Sequence, residues 1–274
     1  MERAMTNAHN DRSARWRLGV VSYLNAKPLI EGLETDGRFE LILDVPSRLA
    51  TLLDEGSVDA ALVPVIDLLC DGRRWRIISD ACIGCDGETL TVRVFSRVPA
   101  AEIRTLHVDG HSHTSVALAR ILWHELYGQS LNIVPLEDVS EGYDRDAVLL
   151  IGDKVVTHAP THLEIETDLG SAWKTLTSLP FVFAAWAAPR DSDLDLSELT
   201  DRLAQARNAG VAAAEMIAAD YGPGLGWPVN LARRYLTQRL KFHLGPRERQ
   251  GMARFLELAK RHGIVSPTKE LVFA

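Results

Sequence analysis

The stretch VVSYLNAKPLIEG, residues 20–32, determines the fold that we predict for this chain. Residues 18–21 form an apolar run typical of a buried parallel strand, and Ser22 and Asn25 follow as candidate N-cap residues of a helix. Pro28 fits that helix only in its first turn, because proline has no N–H to donate. The pattern therefore predicts a strand, a tight loop and a helix, the kind of junction at which open α/β sheets bind ligands.

The loop between this strand and this helix carries polar groups that could contact a ligand. Ser22, Tyr23 and Asn25 supply a hydroxyl, a phenol and a carboxamide. Because a helix N-terminus favours negative charge, we expect a small polar anion at this loop. The sequence leaves open the alternative that Ser22 and Asn25 only cap the helix.

The composition excludes several classes of partner. The 274 residues include 30 basic and 37 acidic side chains, and the net charge of −7 argues against binding of nucleic acid. No apolar run reaches the roughly 18 residues that a membrane span needs, so we expect no membrane partner. The first 16 residues are polar and lack the apolar segment of a signal peptide, which predicts a cytoplasmic protein.

The cysteines and histidines do not predict a metal site. Cys82 and Cys85 have CxxC spacing, but no second such pair completes a zinc site, so we interpret them as structural. Together with Cys70 they are too few for a disulfide framework. His111 and His113 form an HxH pair without a third ligand at suitable spacing, and we expect them in a surface loop.

The order of the predicted elements alternates strands with helices, which predicts two α/β lobes with mostly parallel sheets and a ligand cleft between them. The predicted divisions are a disordered or frayed tail at 1–16, lobe 1 at 17–95 plus 187–274, and lobe 2 at 96–186. Pro64 ends a predicted strand beside the opening loop. Beyond residue 195 the chain is predicted to be helical, with single helices at about 196–221, 230–240 and 246–262.

A second group of hydroxyls lies between a predicted strand and a predicted helix. Ser112, Thr114 and Ser115 repeat the arrangement of the opening loop. If the two lobes face each other, two helix N-termini meet across the cleft and favour a ligand with two carboxylates or two phosphates. The alternative is that these hydroxyls cap their own helix.

Five segments then carry a family resemblance. They are VVSYLNAKPLIEGLE (20–34), VDAALVPVIDLL (58–69), DGHSHTSVALARILW (109–123), DAVLLIGDKV (146–155) and DLGSAWKTLTSLPFVFAAWA (168–187). In order and spacing, the chain resembles the chorismate dehydratases of the futalosine route to menaquinone, from Arg17 to the carboxyl terminus. The resemblance implies a type II periplasmic-binding-protein-like fold, a cytoplasmic enzyme without metal or organic cofactor, and dehydration of the dicarboxylate chorismate to 3-[(1-carboxyvinyl)oxy]benzoate.

The resemblance also implies roles for particular residues. Asn25 matches the family asparagine that contacts substrate, and Thr91 aligns with a position that is often serine, so both are candidate catalytic residues. No histidine or carboxylate in the quoted segments stands out as a base. The substrate's own enolpyruvyl carboxylate is therefore the candidate proton acceptor.

The remaining implied contacts are to the substrate. The expected substrate-binding residues are Ser22, Tyr23, Pro64, Ser112, His113, Thr114, Ser115 and Asp153. Where the family commonly has SSRTS, this chain has His111 and His113 in place of serine and arginine. His113 could replace the arginine only when protonated. Asp153 is expected at the rim of the cleft or at a hinge.

Two other functions remain as alternatives at this stage. One is a cytoplasmic protein of the same fold that binds or senses a small anion. The other is the sister enzyme that forms 1,4-dihydroxy-6-naphthoate. The sequence leaves the oligomeric state open.

Overall fold

The computed structural model of the protein describes residues 15–136, 140, 144–192, 194–268 and 270–274. The predicted tail at 1–16 lies outside this range except for Arg15 and Trp16. Trp16 already belongs to the first strand, so the first lobe begins one residue earlier than predicted.

Strands and helices alternate along much of the described chain. The strands are β1 (Trp16–Val21), β2 (Phe39–Asp44), β3 (Ala60–Pro64), β4 (Trp75–Cys85), β5 (Val92–Ser96), β6 (Thr105–Val108), β7 (Asn132–Pro135), β8 (Ala147–Ile151), β9 (Ile165–Asp168), β10 (Phe181–Pro189) and β11 (Leu240–His243). The helices are α1 (Pro46–Asp54), α2 (His113–Tyr127), α3 (Lys154–Thr157), α4 (Leu169–Thr177), α5 (Ser197–Ala212), α6 (Ala214–Tyr221), α7 (Val229–Arg234) and α8 (Pro246–Arg261). Short 3-10 segments and one π-helical turn, Tyr235–Arg239, connect them.

The strands form two sheets, which confirms the prediction of two α/β lobes. The first sheet has the order β11-β4-β10-β3-β1-β2 and the second has the order β7-β6-β8-β5-β9. The sheets are mixed rather than mostly parallel: β10 is antiparallel to β3 and β4, and β5 is antiparallel to β8 and β9.

The two passages between the sheets lie at different positions from those predicted. The chain leaves the first sheet after Cys85 and enters the second at Val92, so β5 belongs to lobe 2 rather than lobe 1. It returns at Phe181, so the first half of β10 belongs to lobe 1. Residues Phe181 to Ala188 are all buried, because β10 lies in the middle of the first sheet.

The opening stretch forms the predicted strand and tight loop, but its helix is a short 3-10 segment, Leu24–Leu29. Pro28 lies inside this segment and has no N–H to extend the turn as an α-helix. Tyr23 is the N-cap residue and no side chain caps the segment, so the prediction that Ser22 and Asn25 are caps is wrong. The helix dipole expected at this loop is therefore largely missing, and the side chains themselves have to contact a ligand.

The carboxyl-terminal part departs from the predicted single helices. The helix expected at 196–221 is divided into α5 and α6 at Ala213, and the helix expected at 230–240 is α7 followed by the π-helical turn. The chain then forms β11, which pairs with β4 at the edge of the first sheet. This turn brings Tyr235 into the interior, where it is 1% exposed.

The cysteines are free and agree with the structural interpretation. Cys82 and Cys85 lie buried in β4, and burial raises the pKa of both thiols, that of Cys85 to about 12. Neither thiol forms the reactive thiolate at neutral pH.

Within the described ranges, no helix combines the length and the apolar character that crossing a membrane requires.

Candidate active site

A narrow cavity lies between the two sheets and draws its walls from both. It is lined by Val21, Tyr23, Asn25, Pro46, Pro64, Ile83, Thr89, Thr91, Val92, Ser112, Ser115, Ile151, Gly152, Phe183, Ala184, Tyr235 and Leu240. Its volume is about 40 Å³. Small-molecule sites usually have about 300–1,000 Å³, so the lobes are closed on one another here.

The cavity brings together most of the predicted site residues. Tyr23, Asn25, Pro64, Thr91, Ser112 and Ser115 line it, and they come from four different βα junctions or strand ends. Ser22, His113, Thr114 and Asp153 do not line it. The direct contacts expected for these last four are thus not present in the closed cavity.

Asn25, Thr91 and Tyr235 form a polar group on one side of the cavity. The hydroxyls of Thr91 and Tyr235 share a hydrogen bond of 2.7 Å. Burial raises the pKa of the Tyr235 phenol, while contacts with Thr91 and Asn25 oppose that rise. The side-chain oxygen of Asn25, Oδ1, is buried and finds no hydrogen-bond partner among the described residues. A buried acceptor without a partner is costly in a folded protein, so this oxygen is an obvious place for a ligand to bind.

Trp227 and Asp153 hold Tyr235 in place from behind. The rings of Trp227 and Tyr235 are stacked with their centroids 4.8 Å apart. The indole Nε1 of Trp227 donates to Asp153 Oδ1 at 2.9 Å, and the backbone N–H of Leu24 donates to both carboxylate oxygens at 3.3 Å. Asp153 therefore joins the end of β8 in lobe 2 to the opening loop and to Trp227, which in turn stacks on Tyr235. This position fits the expected place at the rim better than contact with a ligand.

Burial raises the pKa of the Asp153 carboxyl to about 6, even though the hydrogen bonds from Trp227 and Leu24 favour its charged form. The carboxylate faces few compensating charges, because its partners are an indole and a backbone amide.

A second set of contacts joins the lobes through Tyr23, the residue before Leu24. The hydroxyl of Tyr23 lies 3.0 Å from His111 Nδ1, and Lys154 Nζ lies 2.6 Å from the same nitrogen. Lys154 also pairs with Asp109 at 3.2 Å. Burial lowers the pKa of His111, the charge of Asp109 opposes this shift, and the charge of Lys154 adds to it. His111 thus lies in the loop that precedes α2, where it is half-buried in an interlobe contact and not on the free surface that we predicted.

The start of α2 places two hydroxyls on the cavity wall. Ser112 is the N-cap residue, and its Oγ accepts a hydrogen bond from the backbone N–H of Ser115 at 3.2 Å. The two side-chain hydroxyls lie 3.0 Å apart. Capping and ligand contact are therefore compatible roles here, since both hydroxyls line the cavity at the positive end of a 15-residue helix.

His113 and Thr114 point elsewhere. The Nδ1 atom of His113 lies 2.9 Å from Asp67, whose carboxylate also pairs with Arg73 at 2.8 Å, and hydrogen bonding to Asp67 raises the pKa of His113. Thr114 Oγ1 accepts from the backbone N–H of Ile66 at 3.1 Å. The imidazole of His113 is engaged by Asp67 outside the cavity, so its replacement of an arginine at the ligand stays a prediction that this geometry does not support.

Tyr235 and Phe183 line the cavity and Trp227 stacks on Tyr235, although none of the three was predicted as a site residue. Trp227 lies in a segment rich in proline and glycine, and Tyr235 lies in what looked like an ordinary helix. A structural sign of the site is the π-helical turn at Tyr235, a distortion that is common at functional sites.

The cavity is not built for a metal ion. None of its lining residues is Asp, Glu, His or Cys, and its titratable side chains are the two phenols of Tyr23 and Tyr235. What it offers is hydroxyls, one carboxamide and apolar walls, a set suited to orienting a small polar molecule away from water.

Solved structures identify the class of protein that this fold and cleft define. A protein of Archaeoglobus fulgidus has a TM-score of 0.71 at 15% identity, with 92% of this chain and 98% of that chain covered. A Candida albicans protein with the generic periplasmic binding protein fold has a TM-score of 0.68 at 11% identity, with 93% of this chain and 92% of that chain covered. The periplasmic aliphatic sulphonate binding protein of Escherichia coli has a TM-score of 0.64 at 14% identity, with 93% of this chain and 94% of that chain covered. The chain is thus a two-lobed protein of the periplasmic-binding-protein-like fold.

The sequence comparisons narrow this class to one family. The family model described as menaquinone biosynthesis matches residues 16–261, so the chain belongs to the menaquinone biosynthesis family. The chorismate dehydratase of Thermus thermophilus is 30% identical over 261 residues, which cover 88% of this chain and 93% of that protein. The resemblance proposed from the five segments is confirmed at the level of the family.

Proposed function

We propose that the protein is a carbon–oxygen lyase that dehydrates chorismate to 3-[(1-carboxyvinyl)oxy]benzoate. Membership of the menaquinone biosynthesis family and the similarity to the Thermus thermophilus dehydratase support this activity. The structural observation that carries it is the buried, unpartnered Oδ1 of Asn25 beside the Thr91 and Tyr235 hydroxyls in the interlobe cavity. We place the reaction in the cytoplasm, because the resemblance to these dehydratases implies it.

The proposed reaction removes water and needs no redox partner. The ring carbon C3 loses its proton and C4 loses its hydroxyl, which together leave as water while the ring becomes aromatic. Aromatisation supplies the driving force, so the protein has to hold the ring, exclude bulk water and assist departure of the hydroxyl. These are tasks that hydroxyls and a carboxamide in an apolar cavity can perform.

The two ends of the cavity have different proposed roles. Ser112 and Ser115, at the N-terminus of α2, receive one carboxylate of chorismate, because the hydroxyls and the helix end both favour an anion. Asn25, Thr91 and Tyr235 face the reacting part of the ring. Thr91 and Tyr235 share a single hydrogen bond, so one of their two hydroxyl hydrogens is left to donate to the departing hydroxyl.

The absence of carboxylates and imidazoles from the cavity wall bears on the proton transfer. The phenols of Tyr23 and Tyr235 have pKa values that burial raises above the usual range, so neither phenol is a base at neutral pH. The enolpyruvyl carboxylate of chorismate is then the proposed acceptor of the C3 proton. In this scheme the oriented Asn25 amide holds the side chain of the substrate against the ring.

The test is to incubate the metal-free protein with chorismate and to follow the products by chromatography and mass spectrometry. We expect a product lighter by one water with a benzoate-type absorbance, and its formation should depend on the protein. Unchanged chorismate that nevertheless protects the protein against heat would favour a binding or sensing protein, a role that the sulphonate-binding neighbour has in this fold. If chorismate is neither converted nor protective, the proposal is contradicted and attention turns to the sister enzyme.

A further inference from the structure

Three potential metal ligands meet at the far ends of two long helices, outside the cavity. His124 and Glu125 lie in the last turn of α2, and His262 is the C-cap residue of α8. One ligand atom from each of the three side chains lies within 4.8 Å of the other two. None of the three residues borders the interlobe cavity.

The distances within this cluster suit a transition-metal ion. Glu125 Oε1 and His262 Nε2 are 2.7 Å apart, and the rings of His124 and His262 have their centroids 4.2 Å apart. Tetrahedral zinc with bonds of about 2.0–2.2 Å needs ligand atoms about 3.4 Å from each other. The spacing of the three ligand atoms is thus close to that of a zinc coordination sphere.

The electrostatic environment favours a cation. The last turns of α2 and α8 meet at the cluster, so the partial negative charges of two helix C-termini add to the carboxylate of Glu125. The opposing charge is Arg261, whose Nη1 lies 3.8 Å from Glu125 Oε1. Arg261 makes its closer contact, 2.8 Å, with Glu257 and is half exposed, so it can keep that partner while a metal takes Glu125.

We propose that His124, Glu125 and His262 bind a divalent zinc-class cation that joins α2 to α8. Two imidazoles and one carboxylate are a ligand set that zinc prefers, with water as the fourth ligand. Glu125 and His262 have side chains only 19% and 13% exposed, while the exposed His124 gives the ion a path from solvent. The ion connects a helix that follows a strand of the second sheet with the helix that follows β11 of the first, so it stabilises the packing of α2 on α8.

The experiment uses the full chain without an affinity tag, treated with chelator and dialysed. Titration with ZnCl₂ in a calorimeter should give one equivalent bound, and His262→Ala and Glu125→Gln should each weaken the affinity at least about tenfold. His124→Ala should also weaken the affinity for zinc at least about tenfold. Because His124 is exposed, this substitution should not affect folding. His162→Ala and Cys70→Ser, which remove potential ligands outside the cluster, should bind as the unmodified protein does.

Two further measurements separate this site from adventitious binding. At a hundredfold excess of zinc over its dissociation constant, Tm should rise by about 5 °C in the unmodified protein and not in His124→Ala. Co²⁺ bound in place of Zn²⁺ should show d–d absorption without a thiolate charge-transfer band, because the site has no sulfur ligand. Substoichiometric binding, affinity that the three cluster variants leave unchanged, or a thiolate band that Cys70→Ser abolishes would each overturn the proposal.

Discussion

At the scale of single residues, Asn25 is the most direct test of the proposed chemistry. Its Oδ1 lies buried in the cavity without a partner among the described residues, so we expect Asn25→Ala to lower kcat/KM for chorismate at least about tenfold, or about 1.4 kcal/mol of transition-state stabilisation. Ser22→Ala is the matched control, because Ser22 lies in the same loop but outside the cavity wall. Equal rates for both variants, with circular dichroism unchanged, would remove Asn25 from the mechanism.

Tyr235 tests the assistance to the departing hydroxyl. Tyr235→Phe removes the hydroxyl that bonds to Thr91 and keeps the ring. We expect kcat to fall about tenfold to a hundredfold with a smaller change in KM. The buried Thr91 hydroxyl also loses its partner, which should lower the free energy of unfolding by about 1 kcal/mol. Tyr221→Phe is the control, since its hydroxyl bonds to Glu34 in an exposed contact. A loss of stability at Tyr235 without loss of kcat would show that the phenol is purely structural.

The helical period of α2 explains why only some of the hydroxyls predicted at its start reach the cavity. Ser112 and Ser115 are three positions apart and lie on one side of the start of α2, where both reach the cavity. His113 and Thr114 lie between them, so the turn of the helix points them to Asp67 and Ile66 instead. Matching HSHTS to a family motif indicated a hydroxyl-rich helix start, but not which of its side chains face the ligand.

At the scale of elements, the turn after β8 depends on close approach to the opening loop. Gly152 has φ +67°, and a Cβ there would lie 2.6 Å from the ring of Tyr23. We expect Gly152→Ala to lower the free energy of unfolding by at least about 2 kcal/mol, through backbone strain and overlap together. Gly32→Ala is the matched control with φ +74° and no atom within 4 Å, and it should cost only about 1 kcal/mol. Urea denaturation of both variants measures the difference, and equal losses would contradict the close packing.

The contact of Asp153 between β8, the opening loop and Trp227 predicts a pH dependence. Burial raises the pKa of Asp153 in the folded protein to about 6, above its usual value of 3.8, so the folded state binds this proton more tightly than the unfolded state. The contribution of Asp153 to stability is then largest at low pH and declines as pH rises from about 4 to 6. Relative to Asp153→Asn, the unmodified protein should lose about 2 kcal/mol over that interval in urea melts. Parallel stability curves for the two proteins would contradict the raised pKa.

The sequence predicted those elements that are determined by neighbouring residues. It did not predict those that depend on contacts between segments distant in sequence. The strand and loop at 18–25 and the capped start of α2 follow from apolar runs and capping residues in the sequence itself. The π-helical turn at Tyr235 depends on Trp227 stacking behind it and on β11 pairing with β4, contacts that join segments distant in sequence. No periodicity within the segment at 230–240 signals them.

At the scale of the whole molecule, the alternation of strands and helices was enough to predict two lobes and a cleft. It could not predict strand direction at the two passages between the sheets. Whether β5 and β10 run parallel or antiparallel to their neighbours depends on where the chain leaves one sheet and enters the other. The sequence pattern of a fully buried strand such as β10 is the same in both cases.

The closed cavity of about 40 Å³ also makes a prediction about the motion of the lobes. Chorismate can enter only if the lobes separate, which breaks the bond from the Leu24 N–H to Asp153 and the contact between Tyr23 and His111. Without ligand these contacts should open and close, and bound product should hold them closed. Hydrogen exchange measured by mass spectrometry should therefore slow severalfold with product in peptides that cover 22–30 and 150–157. Peptides from α8 serve as the internal control, because that helix does not border the cavity. Equal slowing in α8 would indicate general stabilisation, and no slowing in the peptide that covers 22–30 would contradict lobe closure over the ligand.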